Sequence, residues 1–428
     1  MSVGRYSTWL SLLFSPSSSD RLLSRAFLDD LLLDSPDAFL DAIGRGIEEG
    51  PDDFVRHQMA FVILRNAVNN RYTNSTDPST PYPYDDFYSA LSPTGRSQIM
   101  LLLLAYASRP SSSSSSLSSS ACADLLGDLG SFLISSSPSL SSALSASPSL
   151  LPSLQSLASG DPLQQATALR AFLAVVPSLL SHLNNESDET FPSPLHSSAA
   201  SALLGSLRTS LLSPSAPVRL AAVRAAEAAL ASAKSWAVVD LFSVLFPDIL
   251  SAVGAEISSA LSSSPNAASS FLPVLISLLS SSTLPPAVEA AARSHLSSLA
   301  GLALAGSSLP SSGSNSEALL LSHELLLTVA ESLPSPCRVL VLPGAGGGDA
   351  PFPQSLVAAS FSLTVTFDEP YSTWLSDRSD GDRVGDSPAA AGEDGLARAV
   401  EALGPEATLP SVFGMVTEAK GSGDPGRR

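Results

Sequence analysis

The strongest constraint on what this chain can fold into is one kind of helix that recurs and cannot stand alone. Pro51 to Tyr72 reads PDDFVRHQMAFVILRNAVNNRY. Its Pro-Asp-Asp start puts negative charge where the exposed N–H groups and macrodipole of a helix favour it. Val55, Met59, Val62 and Ile63 follow at three- and four-residue spacing, which predicts one apolar side. Arg56, Gln58, Arg65 and Asn66 are left to face elsewhere. A helix like this cannot shield its own stripe, so it needs neighbours on both sides.

Related helices supply them. Val55, Leu163 and Val218 occupy one column, and Arg56, Gln164 and Arg219 the next. Gln58, Ala166 and Ala221 come two places later, then Ala60, Ala168 and Val223. Each helix follows a proline-containing turn, at Pro51, Pro162 and Pro217. Recurrence at roughly 35–60 residues is the spacing of HEAT and armadillo-like helix pairs with loop insertions. Leu169, Leu173, Val176 and Leu180 carry the helical period within one of them.

The same reading extends along the chain. Short helices are expected at 5–14 and 20–33, then at 36–49 with 52–72, and at 86–107. Others follow at 121–135, 139–158 with 161–182, and 195–212 with 215–232. Those at 236–262, 267–281, 287–304 and 316–333 complete the regular part. No stretch sustains period-two alternation with hairpin turns, although Val339 to Leu342 has strand-like residues. The expected fold class is all-α, a HEAT-repeat α-solenoid with an armadillo-like superhelix. Its expected parts are repeats over 1–110, a Ser-rich loop at 111–120 and repeats over 121–333. A Gly/Pro linker is expected at 334–352, then a repeat at 353–414 carrying an acidic loop at 368–394. Within that repeat, helices are expected at 353–367 and 394–403, and the tail at 415–428 is expected to be disordered.

Composition agrees with close helix packing. Hydrophobic residues make up 44% of the chain and aromatics only 6%, so the core must be built of Leu, Ala and Val. The formal charge is −18, which repels nucleic-acid phosphates and attracts basic partners. Two cysteines, Cys122 and Cys337, are too few for a disulfide framework and fit a reducing compartment. No segment is read as the roughly 18 apolar residues of a membrane span. The expectation is a protein that binds neither nucleic acid nor membrane.

Catalysis needs convergent groups, and none are legible. His57, His182, His196, His295 and His323 lie far apart, with no partner at metal-ligand spacing, so structural roles are expected. Gly344 to Gly348 lacks the Gly-Lys-Ser/Thr of a phosphate loop. Neither an enzyme, a cofactor nor a metal site is expected. The acidic stretch is the remaining candidate. Asp368, Glu369, Asp377, Asp380, Asp382 and Asp386, with Trp374 among them, suit either a solvated loop or a negative arm for a basic protein.

These residues resemble the karyopherin-β family of nuclear transport receptors, in its importin beta-3 branch. Arg56, Gln58, Met59, Ala60, Leu64, Arg65 and Asn66 match the Arg-Gln-x-Ala helix of the family's N-terminal region. Trp9 to Leu33 and Pro217 to Val253 resemble its first and fifth repeats. Asp368-Glu369…Trp374, then Ala391-Gly392-Glu393-Asp394-Gly395-Leu396-Ala397-Arg398…Leu403-Gly404, resemble its acidic insert and following helix. The resemblance covers residues 6–416 and only the N-terminal part of such a receptor. It implies an import receptor that binds Ran-GTP, nucleoporins and basic cargo such as ribosomal proteins and histones, cycling between cytoplasm and nucleus. Arg56, Gln58, Arg65 and Asn66 become the Ran-binding candidates, and Asp368, Glu369, Trp374, Asp377, Asp380, Asp382 and Asp386 the cargo candidates. A HEAT scaffold with no transport role is the alternative.

Overall fold

The computed structural model describes residues 15–48, 53–69, 87–109, 116–139, 149–185, 194–262, 266–280, 286–308, 316–343, 349–364 and 388–421, with a few isolated positions besides. The chain is a HEAT-repeat α-solenoid that divides into two units, Met1–Val238 and Val239–Arg428.

The first unit holds α1 (Ser18–Asp34), α2 (Pro36–Glu48), α3 (Phe54–Val68), α4 (Phe87–Ala90), α5 (Pro93–Ala107) and α6 (Ser116–Ser135). It continues with α7 (Leu150–Ala158), α8 (Pro162–Asn185), α9 (Pro194–Leu211) and α10 (Ala216–Ser232). Hairpins form as α2–α3, α5–α6, α7–α8 and α9–α10. The second helices pack side by side in the order α3, α6, α8, α10, making one row. After α11 (Trp236–Ser243), the second unit runs through α12 (Leu245–Ser262), α13 (Asn266–Leu279), α14 (Pro286–Ser294), α15 (Leu296–Ser307) and α16 (Ser316–Ser332). It ends with α17 (Pro334–Val339), β1 (Val341–Pro343), β2 (Asp349–Pro351), α18 (Phe352–Thr364), α19 (Pro388–Leu403) and α20 (Pro405–Gly421). Its second-helix row is α13, α16, α19, backed by α12, α15, α18 and α20.

Proline explains many of the helix starts. Pro36, Pro93, Pro162, Pro194, Pro286, Pro334, Pro388 and Pro405 each open a helix, where the missing N–H costs nothing. Serine inside apolar helices is satisfied locally. The hydroxyls of Ser206, Ser294, Ser322 and Ser360 donate to the carbonyl four residues back. A Ser-rich chain can therefore still pack as a helical core. Phe39, Phe61, Phe172, Phe246, Phe271 and Phe352 anchor it, each nearly or fully buried.

Several expectations are corrected. Val55 and Val62 are exposed, and α3 buries His57, Ala60, Phe61, Ile63, Leu64, Ala67 and Val68 instead. Neighbours flank a row helix on several sides, so the buried arc is wider than one stripe. Leu173 likewise lies 41% exposed, although Leu169, Val176 and Leu180 are buried. The helix expected over 86–107 breaks at Ser92, whose hydroxyl accepts from Gly95 N–H and starts α5. The one at 287–304 breaks at His295 and the one at 236–262 at Val244. The linker at 334–352 contains α17 and an antiparallel β1–β2 pair, with Leu342 opposite Ala350. Leu342 and Phe352 are buried, with β1 against α15 and β2 against α18, so this segment packs onto the second unit. Gly404, at φ 85, ends α19 and Pro405 starts α20 at once; α20 takes in residues 415–421 of the expected tail, and 422–428 lie outside the described residues. Two stretches, Pro162–Asn185 and Ala237–Ser259, are long and apolar enough to cross a membrane by composition. The first is packed between α6 and α10, and the second is interrupted at Val244. Of the Ser-rich loop expected at 111–120, residues 116–120 are the start of α6, while 111–115 and nearly all of the helix expected at 5–14 lie outside the described residues.

Candidate functional site

The second-helix row of the first unit carries the residues singled out in the sequence. At the start of α3, Asp53 Oδ1 accepts from Arg56 N–H at 3.0 Å, and Arg56 Nη2 lies 3.1 Å from Asp53 Oδ2. The guanidinium is thus folded back onto its own cap. The matching column positions do similar work. Asp161 and Gln164 form a reciprocal capping box on α8, each side chain accepting from the other's backbone N–H. Gln164 Nε2 also donates to Ser108 O at 2.8 Å, and Arg219 Nη1 donates to Ser213 O at 2.7 Å. The recurring polar column pins helix starts to turns.

Arg65 belongs to a ladder across three helices. Its Nε donates to Asp128 Oδ2 at 2.6 Å and its Nη1 to Asp124 Oδ2 at 2.9 Å, both on α6. Arg170 of α8 closes on Asp124 from the other side through Nε and Nη2. Asn69 Nδ2 adds a 2.8 Å bond to Asp128. Hydrogen bonding to Asp128 raises the Arg65 pKa, and bonding to Asp124 raises that of Arg170, each against partial burial. Gln58 and Asn66 are half-buried on the same helix. The sequence reading missed Asp124, Asp128 and Arg170. The available signal was the pair of carboxylates four residues apart on an otherwise uncharged α6.

The histidines serve structure where their contacts are described. His57 is buried, with Nε2 3.0 Å from Ile47 O and Nδ1 3.0 Å from Tyr106 Oη. A carbonyl only accepts, so Nε2 carries the proton and the tyrosine hydroxyl donates to Nδ1. His182 Nε2 donates to Ile134 O at 2.8 Å. Among the described residues, no group of three His, Cys, Asp or Glu side chains converges to hold a metal. Burial pushes the Cys122 thiol up, and that of Cys337 to about 12, so neither is poised as a nucleophile.

In the second unit, Arg398 of α19 holds Glu324 through Nη1 and Nη2 at 2.8 and 2.9 Å, and Glu331 through Nε at 2.7 Å. Asp394 adds a fourth group at 3.6 Å. The hydrogen bond to Glu324, then that to Glu331, raises the Arg398 pKa. Beneath it, His323 Nε2 donates to Ser360 Oγ at 2.8 Å. Gly392 and Gly395 let α19 approach closely. A Cβ at Gly392 would meet Thr364 N at 2.5 Å, and one at Gly395 would meet His323 Cε1 at 2.4 Å. Asp368, Glu369, Trp374, Asp377, Asp380, Asp382 and Asp386 lie outside the described residues. Glu393 and Asp394, expected in the acidic loop, belong to α19, which starts at Pro388.

No protein-family description and no curated protein matches the sequence. Solved structures do match. A mutant of Kap121p superposes with a TM-score of 0.73 over 98% of this chain, at 15% identity. Kap121p bound to RanGTP gives 0.69 over 99% at 14% identity, and Kap121p bound to Nup53p gives 0.70 over 98% at 14%. In each case this chain spans 35% of the solved chain. The fold is karyopherin-β-like.

Proposed function

We propose that this chain acts as a nuclear transport receptor of the karyopherin-β class. It binds Ran-GTP, nucleoporins and basic protein cargo, with ribosomal proteins and histones as the expected cargo classes, and moves between cytoplasm and nucleus. The observation that carries this reading is the likeness of 99% of the chain to a Kap121p solved with RanGTP. The charge of −18 supports it, since an acidic receptor steers cationic cargo. The Ran contact is assigned to α3 through Arg56, Gln58, Arg65 and Asn66. The cargo contact is assigned to Asp368, Glu369, Trp374, Asp377, Asp380, Asp382 and Asp386. The same likeness supports a non-enzymatic role.

The test is capture of the full chain on Ran loaded with a non-hydrolysable GTP analogue against Ran-GDP. Preference for the GTP form is expected; equal or absent capture sinks the reading. A HEAT scaffold without a transport role remains the second reading, favoured by one observation. Arg65, a Ran candidate, already spends its charge on Asp124 and Asp128. The scaffold predicts a stable partner whose binding ignores Ran.

A further inference from the structure

We propose that the groove between α8 and α10 is a docking site for an acidic amphipathic helix of a partner protein. The groove has a volume of about 670 Å³ and lies within the first unit. Leu163, Ala166 and Leu173 edge it on α8, and Pro217, Leu220 and Ala221 on α10. From Leu163 to Leu173 the ridge spans about 15 Å at the helical rise, room for two to three turns of a bound helix. Leu173 is 41% exposed over it, on a helix whose other apolar side chains are largely buried.

Charge selects the occupant. Three charged residues line the groove, Arg170, Arg224 and, from its α6 wall, Asp124, and both arginines are exposed. Asp124 already answers Arg170, and Asp128 answers Arg65. Arg224 makes no ion pair among the described residues, so a positive charge stands uncancelled beside an apolar trough. On a chain of charge −18, a cationic rim is not inherited from composition. At the other end, Ser215, the N-cap residue of α10, makes no side-chain cap bond, which adds the positive end of a helix dipole. A basic segment meets repulsion here. A helix with leucines at i, i+3 and i+7 and carboxylates on its flank satisfies both the trough and the rim. The assignment does not depend on the transport reading, because Ran and basic cargo are placed on other residues.

The test uses the full chain and two fluorescein-labelled helical peptides, one of leucine and glutamate and its counterpart with lysine for every glutamate. Fluorescence anisotropy is expected to show binding of the glutamate peptide, weakened about tenfold by Arg224→Glu and by Leu173→Ser. The lysine peptide should prefer Arg224→Glu over the unaltered chain. Hydrogen exchange with the glutamate peptide should show protection on α8 and α10. The proposal is overturned by absence of glutamate-peptide binding, by equal affinity in the unaltered chain and Arg224→Glu, or by protection elsewhere. Arg224 is exposed and makes no ion pair among the described residues, so its reversal should leave the melting temperature unchanged and keep the test decisive if Leu173→Ser fails to fold. Capture by Ran-GTP, measured in parallel, is expected to be indifferent to Arg224→Glu, which separates this outcome from the transport test.

Discussion

The two units use one device with opposite charge accounting. In each, an arginine on one second-row helix holds carboxylates on the helix before it: Arg170 on Asp124, and Arg398 on Glu324 and Glu331. The first unit matches two arginines, Arg65 and Arg170, to two aspartates. The second sets one arginine against Glu324, Glu331 and Asp394, leaving an acidic excess. Beneath the pairs, the rows also differ. α6 meets α8 with Gly127 facing the Ala171 carbonyl, whereas α19 presses Gly392 and Gly395 onto α18 and a buried histidine. The difference teaches that a repeat interface can be joined by charge balance at its surface or by close backbone approach beneath a single cation. The second arrangement tolerates less change.

The largest expected contrast is in pH. Burial holds His323 well below its ordinary 6.5, at about 4, with Glu324 and Asp394 opposing that shift and Arg398 reinforcing it. Between these values the unfolded chain binds the proton and the folded unit does not. Stability present at neutral pH is therefore lost as pH falls through 6.5, reaching about 3 kcal/mol by pH 4. Hydrogen-exchange protection of α16, α18 and α19, corrected for the intrinsic rate at each pH, should fall over that window. His323→Gln, which keeps a donor for Ser360, should flatten the dependence. An unchanged slope in the variant would show that His323 does not set it.

Next comes the backbone approach. Gly392→Ala drives a methyl against Thr364 N and Ser360 O, which cannot step aside, and should cost about 2 kcal/mol. Gly127→Ala meets Ala171 O at 3.0 Å and the Ala174 Cβ at 3.1 Å, contacts that ease with a small shift. Its gain in helix propensity, about 1 kcal/mol, offsets much of that strain. Thermal unfolding of the two variants should therefore differ clearly. Equal melting points would mean that the units are packed with the same slack.

The fold was legible because proline starts and apolar periods are local properties. Pro162 and its capping box at Asp161 and Gln164 can be read residue by residue. The exposed side of a row helix is not local. Val55 and Leu173 match the apolar period, yet their exposure depends on which flanks the adjacent helices cover. Gly392 and Gly395 stood out only as part of a resemblance; their physical reason, contact with Ser360 and His323, spans more than thirty residues of sequence. The ladder was hidden for the same reason. Arg65 looked available for a partner until Asp124 and Asp128, on the next row helix, were brought beside it.

The smallest effects test the charge accounting itself. Arg398→Gln leaves Glu324, Glu331 and Asp394 facing one another without their cation, at a site where Arg398 is 26% exposed. Hydrogen bonds to charged groups and the released repulsion together point to a loss of about 1 kcal/mol after screening. Added salt should restore part of it, since the residual term is repulsion between carboxylates. Arg65→Gln should cost less, because Arg170 still neutralises Asp124 and only Asp128 loses its cation. Salt should then restore little, as no like-charged trio is exposed. Urea unfolding of both variants at low and high ionic strength measures the contrast. If salt rescues the two equally, the acidic excess around Arg398 contributes nothing, and the two ladders are alike in energy despite their different partners.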